Sequence, residues 1–501
     1  MENNSANSEV RELYCLNLPT VPDPSYRKIL VTGASGYIGG RLVPELQARG
    51  YTVRIMARQS SSKGDQVWPG AEVVVADALD GKSLDRALSG IDAAYYLIHS
   101  LLLGPREFEA ADILAAMNFR DSAARCGVKR IIYLGGLGDN KSGLSAHLKS
   151  RIQVAKELQK GTVPVTILRA AIIIGSGSAS YEIINHLVRN TPVLPVPFWA
   201  QTLCQPIAVR DVIKYLVGVL ETGDTSGGVF DIGGYDILSY KEMLRIHADL
   251  LGKKRVFLPV PVSDIRLFSY LASLVTPVPH PITRILFESG FNEVVCKENR
   301  IRDFLPFKTL SFRESLVRAL SREDQDRVST RWSDAYPPAH ELAIKLNEAK
   351  PAPQYTAAFS LTSNKSDRAL FSSLCEIGGD EGWFNSNWMW KLRGLVDRLL
   401  LGVGTSRGRR SRHSLRTNDV IDFWRVEELD LDRKLLLRAE MKLPGKAWLQ
   451  FTVTPEKNGN RLTVKAFYQT TSFLGRVYWF IFLPFHHFIF KDLITQIERR
   501  C

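Results

Sequence analysis

The sequence contains little cysteine, and its cysteines form no pattern that indicates a site. The 501 residues include six of them, scattered at positions 15, 126, 204, 296, 375 and 501. No Cys-x-x-Cys pair occurs and no Cys/His grouping has metal-ligand spacing, which argues against a zinc module and a dithiol redox motif. The scatter also argues against a disulfide framework. We therefore expect a reduced, cytoplasmic compartment and no metal site.

The sequence also lacks an apolar segment typical of a signal peptide and one long enough to form a membrane-spanning helix. The start of the chain, MENNSANSEVRE, is polar and has no apolar centre, so we expect no signal peptide and predict a disordered tail over residues 1–26. The run VYWFIFLPFHHFIF (477–490) is only 14 residues long and contains Pro484. Because a spanning helix needs about 20 apolar residues, we interpret this run as a core helix. A helix lying at a membrane surface is the alternative.

The chain lacks the signatures of nucleic-acid-binding proteins, although its formal net charge is +13. No helix-turn-helix, zinc-finger or RNA-binding motif accompanies that charge. The one concentrated basic patch lies within residues 398–416 and includes SRGRRSRHSLR. Its glycines indicate a loop, which we interpret as solvated, with contact to an anionic membrane surface as the alternative. We predict no nucleic-acid partner.

The most informative feature present is the string KILVTGASGYIGGR at residues 28–41. A β-branched run from Ile29 to Thr32 meets three glycines spaced G-x-x-G-x-x-G, and an amphipathic stretch follows to Gly50. A strand, a glycine turn and a helix in that order favour binding of a pyrophosphate at the N-terminus of the helix. The residues that we predict to bind a dinucleotide in this turn are Gly33, Ser35, Gly36, Tyr37, Ile38 and Gly39.

The next predicted strand, 51–57, indicates which dinucleotide is bound. It ends at Arg58, where a carboxylate would accept hydrogen bonds from an unphosphorylated adenosine ribose. Arginine instead offers a positive, planar donor fork that suits a 2′-phosphate. We therefore predict NADP(H), with NAD(H) as the alternative if Arg58 is an ordinary solvated residue.

Further strands alternate with helical patterns through the first third of the chain. Predicted strands lie at 72–76, 91–98, 130–134 and 165–174, with a helix at 108–126 between two of them. This alternation predicts an α/β fold with a Rossmann-like, doubly wound parallel sheet. Ligands of such sheets bind at the carboxyl ends of the strands. The predicted cofactor-binding residues at those ends are Asp77, Ala78, Ile98 and His99.

Several strings together resemble one family. The chain resembles an atypical or extended short-chain dehydrogenase/reductase of the NmrA-like kind. The strings that carry the resemblance are KILVTGASGYIGG, VVVADALD, AYYLIH, RIIYLGG, RAAIIIGSGSASYE, CQPIAVRDV and VFDIGGYDILSYKEM. The resemblance covers residues 27–320. It implies a dinucleotide-binding sheet with a small substrate-side lobe, and commonly NADP(H)-linked redox chemistry on a carbonyl or an alcohol.

The chain departs from that family at the catalytic positions. The resemblance implies a serine after the fifth strand and a Tyr-x-x-x-Lys on the next helix, but Gly135 and Gly136 end the strand here. On the following helix, His147 and Arg151 lie four residues apart and so on one face, whereas Lys149 points elsewhere. His147 is our candidate general acid, and Arg151 is our candidate for binding the ribose or an anionic substrate. The alternative is that both residues only shape the cofactor site.

The character of the chain changes after a charged, proline-rich stretch at 321–354, which we interpret as a linker. Beyond it come an opening strand at 355–361, a helical stretch and alternating strands. The predicted strands lie at 420–428, 435–441, 447–454 and 461–471. A terminal helix over 473–500 follows. This order, together with DFWRVEE, AEMKLPGKAWL and LPFHHFIF, resembles an α+β helix-grip (START-like) domain, which we place at residues 355–501. The resemblance implies a hydrophobic ligand.

Three hypotheses follow. The first is an NADP(H)-dependent oxidoreductase that reduces a small apolar carbonyl or quinone-like compound. The second is a dinucleotide-binding redox sensor or accessory subunit without turnover, which the missing serine and tyrosine favour. The third is a carrier of a hydrophobic ligand. We expect the first because His147 can donate a proton; the sequence predicts no oligomeric state.

Overall fold

The structure is a computed structural model that describes most of the chain. The described residues are 13–57, 68–98, 105–138, 144–261, 264–324, 328, 330–335, 344–379, 381–405, 407–411, 414–457 and 459–501. Two of the predicted cofactor-binding residues, Arg58 and His99, lie outside them.

The N-terminal part alternates strands and helices, as the sequence predicts. Its elements are β1 (Lys28–Val31), α1 (Gly39–Ala48), β2 (Thr52–Ala57), β3 (Glu72–Val75), α2 (Gly81–Leu88), β4 (Ala93–Tyr96), α3 (Pro105–Arg125), β5 (Arg130–Gly136), α4 (Ala146–Gln159), β6 (Val165–Ala170), β7 (Ile173–Ile174), α5 (Ala179–Asn190), β8 (Val193–Pro197), β9 (Leu203–Cys204), β10 (Ile207–Ala208), α6 (Val209–Glu221), β11 (Val229–Ile232), β12 (Leu238–Ser239), α7 (Tyr240–Leu250), β13 (Val256–Val260), α8 (Ile265–Val275), α9 (His280–Ser289), α10 (Ile301–Phe304) and α11 (Phe312–Asp324).

Seven of these strands form one parallel sheet, in the order β3-β2-β1-β4-β5-β6-β11. The predicted fold class is therefore confirmed. The chain reverses its direction of travel across the sheet between β1 and β4, and the crevice outside their carboxyl ends is where such sheets bind ligands. The predicted sixth strand, 165–174, is two strands, because β7 leaves the main sheet to pair with β10. The sequence analysis did not predict β11.

The remaining N-terminal elements form a small lobe beside the carboxyl edge of the sheet. Three two-stranded ladders, β7 with β10, β9 with β12 and β8 with β13, lie among helices α5 and α7 to α11. Tyr181, Cys204, Met243 and Leu316 form part of its buried core, which also includes Leu148 of α4. The lobe is thus packed against the helix that carries the candidate catalytic residues.

The expectation of a disordered tail over residues 1–26 is wrong for residues 13–26. Cys15 and Leu18 are buried in the main core of the sheet. The carboxylate of Glu45, on α1, accepts hydrogen bonds from the backbone N–H groups of Tyr14 (2.6 Å) and Cys15 (3.0 Å). The sequence analysis missed this because the partner of the tail lies 30 residues further along the chain.

The C-terminal part is a separate α+β domain with an antiparallel sheet. Its elements are β14 (Tyr355–Ser363), α12 (Asp367–Leu374), α13 (Asn387–Leu399), β15 (Val420–Ile421), β16 (Trp424–Asp430), β17 (Lys434–Ala439), β18 (Lys446–Glu456), β19 (Gly459–Gln469) and α14 (Phe473–Arg499). The six strands lie in the order β14-β19-β18-β17-β16-β15, so the first strand pairs with the last. Helix α13 was not predicted.

The arginine-rich segment is not the solvated loop that we predicted. Arg398, Arg407 and Arg410 are buried. Arg407 Nη1 lies 2.7 Å from Glu440 Oε2, and Arg410 donates to both carboxylate oxygens of Asp419 at 3.0 and 3.1 Å. Arg407 and Arg410 thus pair with carboxylates that follow the segment in sequence, and Arg398 donates to Ser273 O, so these three arginines are not available to an anionic surface.

Helix α14 is buried along its inner side and joins the main core of the C-terminal domain near its C-terminal end. Leu493, Ile494 and Ile497 are buried in the core of the C-terminal domain. Among the described residues, α14 is the one helix that is long and apolar enough to cross a membrane, with a mean hydropathy of 1.2 over 18 residues, of which 17% are buried. The predicted core position is therefore wrong for most of the apolar run, whose outer side is exposed.

A short stretch of the predicted linker is packed between the two parts of the chain. Thr330 Oγ1 donates to the backbone oxygen of Tyr37 at 2.9 Å, and Trp332 N–H donates to Gly177 O at 2.8 Å. On the other side, Arg425 of β16 donates to Ser333 O at 2.7 Å. Residues 330–333 therefore connect the glycine turn to the C-terminal sheet.

Candidate functional site

The turn between β1 and α1 accepts only glycine at two of its positions. Gly33 has a φ of +64°, and a Cβ there would lie 2.7 Å from the backbone oxygen of Leu97, just after β4. At Gly39 a Cβ would lie 2.8 Å from Ala34 Cα, so α1 begins in direct contact with the turn. Gly36 N–H donates to Gly33 O at 2.9 Å and closes it. The result is a cradle without side chains at the N-terminus of a helix, which is what a pyrophosphate requires.

Arg41 holds this turn in place, and the sequence analysis assigned it no role. It is 5% exposed, and its guanidinium donates to Ser176 O at 2.8 Å and to Thr330 O at 3.0 Å. It also lies 4.2 Å from the centre of the Tyr37 ring. The i, i+4 spacing of Tyr37 and Arg41 was the available signal. Burial, opposed by Arg41, raises the pKa of Tyr37 to about 12, so its phenol stays protonated.

The predicted residues at the ends of β3 and β4 lie at the same edge of the sheet as the glycine turn. Thr32 Oγ1 joins β1 to β4, since it donates to Tyr95 O and accepts from Leu97 N–H, both at 2.9 Å. Ile98 follows directly and is half-buried. Asp77 is exposed and Ala78 is buried after β3, next to the end of β2 at Ala57. These positions surround the crevice, but the individual roles of the residues stay predictions.

Arg151 reaches the carboxyl end of β5 from α4. One of its Nη atoms donates to the backbone oxygen of Leu134. A Cβ at Gly136 would lie 3.4 Å from Arg151 Cδ and 3.1 Å from Leu148 Cδ2. Arg151 and Leu148 therefore pack directly against Gly136 at the end of the strand. Lys149 is exposed on another side of the helix, as predicted.

His147 lies one turn before Arg151, near the start of α4, and is half-buried. The helix begins at Ser145, whose side chain caps it by accepting from Leu148 N–H at 3.3 Å. Ser145 is held from the lobe side, because its Oγ lies 3.1 Å from Ser289 Oγ and its N–H donates to Asn292 Oδ1 at 3.2 Å. These contacts fix the start of α4, and with it His147, against the lobe.

Three aromatic side chains cluster in the lobe, one of them next to Asn292 in sequence. Phe291, next to Asn292 in sequence, has its ring centre 6.0 Å from those of Phe198 and Trp199. Phe198 is 62% exposed and Phe291 is 42% exposed. Exposed aromatic surface of this kind can receive an apolar molecule.

This fold and this site define a dinucleotide-binding α/β protein. The NmrA-like family model matches residues 25–288, more than half of the chain, and the protein belongs to that NAD(P)-binding family. Residues 351–493 match a second model, described as a protein of unknown function (DUF2867).

Curated relatives are similar at low identity. Mitochondrial NADH dehydrogenase (ubiquinone) 1 alpha subcomplex subunit 9 of Arabidopsis thaliana is 25% identical over 50% of this chain and 65% of its own length. Chloroplastic divinyl chlorophyllide a 8-vinyl-reductase of Cucumis sativus is 26% identical over 48% and 61%. Sanguinarine reductase of Eschscholzia californica is 26% identical over 41% and 88%. The chain thus spans less than two thirds of the first two relatives.

Solved structures are also similar to this chain at low identity. The Bordetella bronchiseptica enzyme WbmG, solved in complex with NAD, is 18% identical with a TM-score of 0.49, and the match covers 62% of this chain and 98% of that one. A nucleoside-diphosphate-sugar epimerase from Staphylococcus aureus is 17% identical with a TM-score of 0.48, covering 58% and 99%.

Proposed function

We propose that this protein is an NADP(H)-dependent reductase of a small apolar carbonyl or quinone-like compound. The observation that carries the proposal is the position of His147 and Arg151. They lie on α4 at the carboxyl edge of the sheet, on the same edge as the glycine cradle, and the start of this helix is held by Ser289 and Asn292 of the lobe.

The residues present fit a dinucleotide. The cradle at Gly33 and Gly39 has no room for a Cβ and offers the N–H groups of the first turn of α1 to the pyrophosphate. Asp77 and Ala78 are proposed to contact the adenosine end, and Arg58 is proposed to contact its 2′-phosphate. Bound NADP(H) supplies a hydride. Ile98 and the end of β5 would adjoin the ring that carries it.

The chain's own residues supply the proton that the reduction needs. When a hydride adds to the carbon of a carbonyl group, the oxygen becomes an alkoxide. His147, in its protonated form, donates its ring proton to that oxygen. Solvent then reprotonates the imidazole. Arg151 carries a positive charge that stabilises the developing negative charge without moving a proton, because a guanidinium does not give up its proton in proteins.

The C-terminal domain is proposed to hold or present the apolar compound. The order of its elements is that of a helix-grip (START-like) fold. It begins with a strand and two helices, continues with an antiparallel sheet in which the first strand pairs with the last, and ends with a long helix that lies along β14. This order supports the assignment.

The Arg58→Ala variant tests the choice of cofactor. We expect its NADPH affinity to fall by roughly 10-fold to 100-fold and its NADH affinity to change by less than about 3-fold, because only NADPH has a 2′-phosphate to lose its charged partner. Calorimetric titration with both cofactors measures this. An equal loss for both would show that Arg58 has a structural role only.

The His147→Ala variant tests the proposed acid. We expect turnover to fall by about 100-fold or more while the NADPH affinity stays within about 3-fold, because a general acid contributes roughly 10²–10⁴ to the rate. Lys149→Ala, on the same helix but exposed on another side, is the matched control and should keep full activity. Unchanged NADPH oxidation in His147→Ala with an aldehyde and quinone panel would remove this residue from the mechanism.

A second candidate function is an accessory subunit or redox sensor that binds the dinucleotide without turnover. Gly135 and Gly136 stand where the family has a catalytic serine after β5, and Arg151 and Leu148 pack against Gly136. One relative is named as a subunit of NADH dehydrogenase. Tight NADPH binding with no oxidation in the panel would favour this candidate.

A further inference from the structure

The outer side of α14 carries an apolar stripe that nothing in the described chain covers. Its large side chains recur at helical spacing and include Phe473 (76% exposed), Phe480 (61%) and Phe488 (66%). The other exposed members of the stripe are Leu474, Val477, Ile481, Leu483 and Phe485. The apolar stripe of a surface helix ordinarily faces the protein core, whereas the stripe of α14 faces the solvent.

Helix α13 carries a second stripe of the same kind. Trp388 is 60% exposed, and Leu392, Leu395 and Leu399 follow it at intervals of one turn, each slightly more than half exposed. The opposite side of the helix contributes Trp390, Gly394 and Asp397 to the interior. Helix α13 and the exposed run of α14, neither of which was predicted, therefore both present apolar side chains to the solvent.

The two helices are held at the same side of the domain. The start of α13 joins the C-terminal third of α14, because Asn385 Nδ2 lies 3.3 Å from Asp492 Oδ1. The middle of α13 joins the loop after β17, where Arg393 donates to Lys442 O at 2.8 Å. That loop reaches the start of α14, since Pro444 O accepts from Thr470 Oγ1 at 2.6 Å. The two helices are thus connected at both ends of α14, through Asn385 and through the loop after β17.

Helix α14 lies flat on the domain instead of projecting from it. Trp479 is buried and stacks on Tyr468 of β19, with ring centres 5.6 Å apart and an interplanar angle of 9°. The ring of His487 lies 4.5 Å from that of Phe359 on β14. Since the inner side of the helix is fixed along the sheet, only its outer side can enter an apolar phase, and it can do so only parallel to the surface.

The exposed charges around these stripes are positive. Lys391 on α13, Lys442 in the connecting loop, and Arg476 and Lys491 on α14 are all exposed. The sequence has no Asp or Glu from 473 to 491, and the one acid of α13, Asp397, is buried. Apolar and aromatic side chains with flanking lysine and arginine are the composition of helices that bind anionic lipid.

We propose that the outer sides of α13 and α14 form a membrane-docking face that lies in the interfacial region of an anionic lipid bilayer. The exposed aromatic and leucine side chains enter the boundary between headgroups and acyl chains, and Lys391, Lys442, Arg476 and Lys491 contact lipid phosphates. A second copy of this chain fits less well, because an isologous contact would bring these cations against each other. The proposal is independent of the reductase function.

Vesicle co-sedimentation of the full chain tests the proposal, with vesicles of phosphatidylcholine alone and of phosphatidylcholine with 30% phosphatidylglycerol. We expect at least about 10-fold stronger partitioning to the anionic vesicles, weakened by about 10-fold in 0.5 M salt. The double variant Phe480→Ser/Phe488→Ser should lose at least about 10-fold of this partitioning. The exposed Leu431, in the turn between β16 and β17, supplies the control Leu431→Ser, which should bind like the native protein.

A second variant and a second probe separate docking from other causes. Lys391→Glu/Arg476→Glu should abolish the preference for anionic vesicles, and both double variants should keep the native NADPH affinity. Brominated lipid in the anionic vesicles should quench the tryptophan fluorescence of the native protein by a larger fraction than the fluorescence of the Trp388→Phe variant, which lacks the exposed tryptophan of α13. The proposal is overturned if the native protein binds neither vesicle, if Leu431→Ser loses as much binding as the phenylalanine variant, or if Phe480→Ser/Phe488→Ser instead dissociates a dimer without affecting vesicle binding.

Discussion

A Gly39→Ala variant is expected to bind NADPH at least about 100-fold more weakly than the native protein, a loss of about 2.7 kcal/mol. The added Cβ would lie 2.8 Å from both the Cα of Ala34 and the carbonyl carbon of Gly33, and closer still to the carbonyl oxygen of Gly33. These are backbone atoms, which cannot rotate away. Either α1 withdraws or the turn opens, and both changes disrupt the cradle for the pyrophosphate.

Gly81→Ala is the matched control for this variant. Gly81 begins α2 in the same part of the chain, and a Cβ there would have only Arg125 Nη2 within 4 Å, at 3.9 Å. Alanine is also the better helix former, so this variant should bind NADPH normally and be no less stable. Native-like affinity in a Gly39→Ala protein that is folded by circular dichroism would show that the glycine turn is not the dinucleotide site.

A Glu440→Gln variant is expected to lose about 3–5 kcal/mol of stability in the C-terminal domain, because it leaves two buried guanidinium groups without their counter-charge. Glu440 and Arg407 have no exposed side-chain surface and lie 2.7 Å apart, and Arg425 donates to the same carboxylate at 3.3 Å. Burial alone would raise the pKa of Glu440, but the charges of Arg425 and Arg407 outweigh it and hold the pKa below its ordinary value.

Urea unfolding followed by tryptophan fluorescence measures this loss, since six of the nine tryptophans follow residue 380. The control is Glu456→Gln, which removes an exposed ion pair with Arg461 and should cost less than about 1 kcal/mol. Because the folded-state pKa of Glu440 is lowered, its contribution is present above the unfolded-state value of about 4.5 and is lost as the pH falls through the folded-state pKa. A loss equal to that of the control at pH 7 would contradict the account.

The parts of the fold that sequence could predict are those with local signals. Period-two alternation and turn residues predicted the antiparallel strands, and the glycine turn after a β-branched run predicted the start of the parallel sheet. The terminal helix, predicted at 473–500, ends one residue earlier. In each of these the residues that determine the element lie within it or beside it.

The failures concern residues whose partners are distant in sequence. Residues 13–26 looked like a tail because their partner, Glu45, lies on a helix that comes later. The arginines of 398–416 looked solvated because Asp419 and Glu440 lie beyond the segment. Arg41 had no assigned role because Thr330 is 289 residues away. Helix α13 has its apolar stripe on the outside, so its periodicity gave no indication of which side faces the core.

The candidate site was predictable at the cofactor end and less so at the catalytic end. The spacing of Gly33, Gly36 and Gly39 has a local physical reason, because glycines there allow a tight turn and a close approach of α1. The geometry of the turn agrees with this reason at Gly33 and Gly39. The contact between the start of α4 and Asn292 depends on how the lobe packs against that helix, which no local pattern contains.

The most direct test of the central claim is titration of the purified protein with NADPH and NADH, followed by absorbance at 340 nm with a quinone and aldehyde panel. The account predicts that NADPH binds more tightly than NADH and that an apolar panel member causes NADPH oxidation. Failure to bind either dinucleotide would contradict it outright. Tight NADPH binding without oxidation by any member would contradict the reductase and leave the accessory-subunit or sensor function.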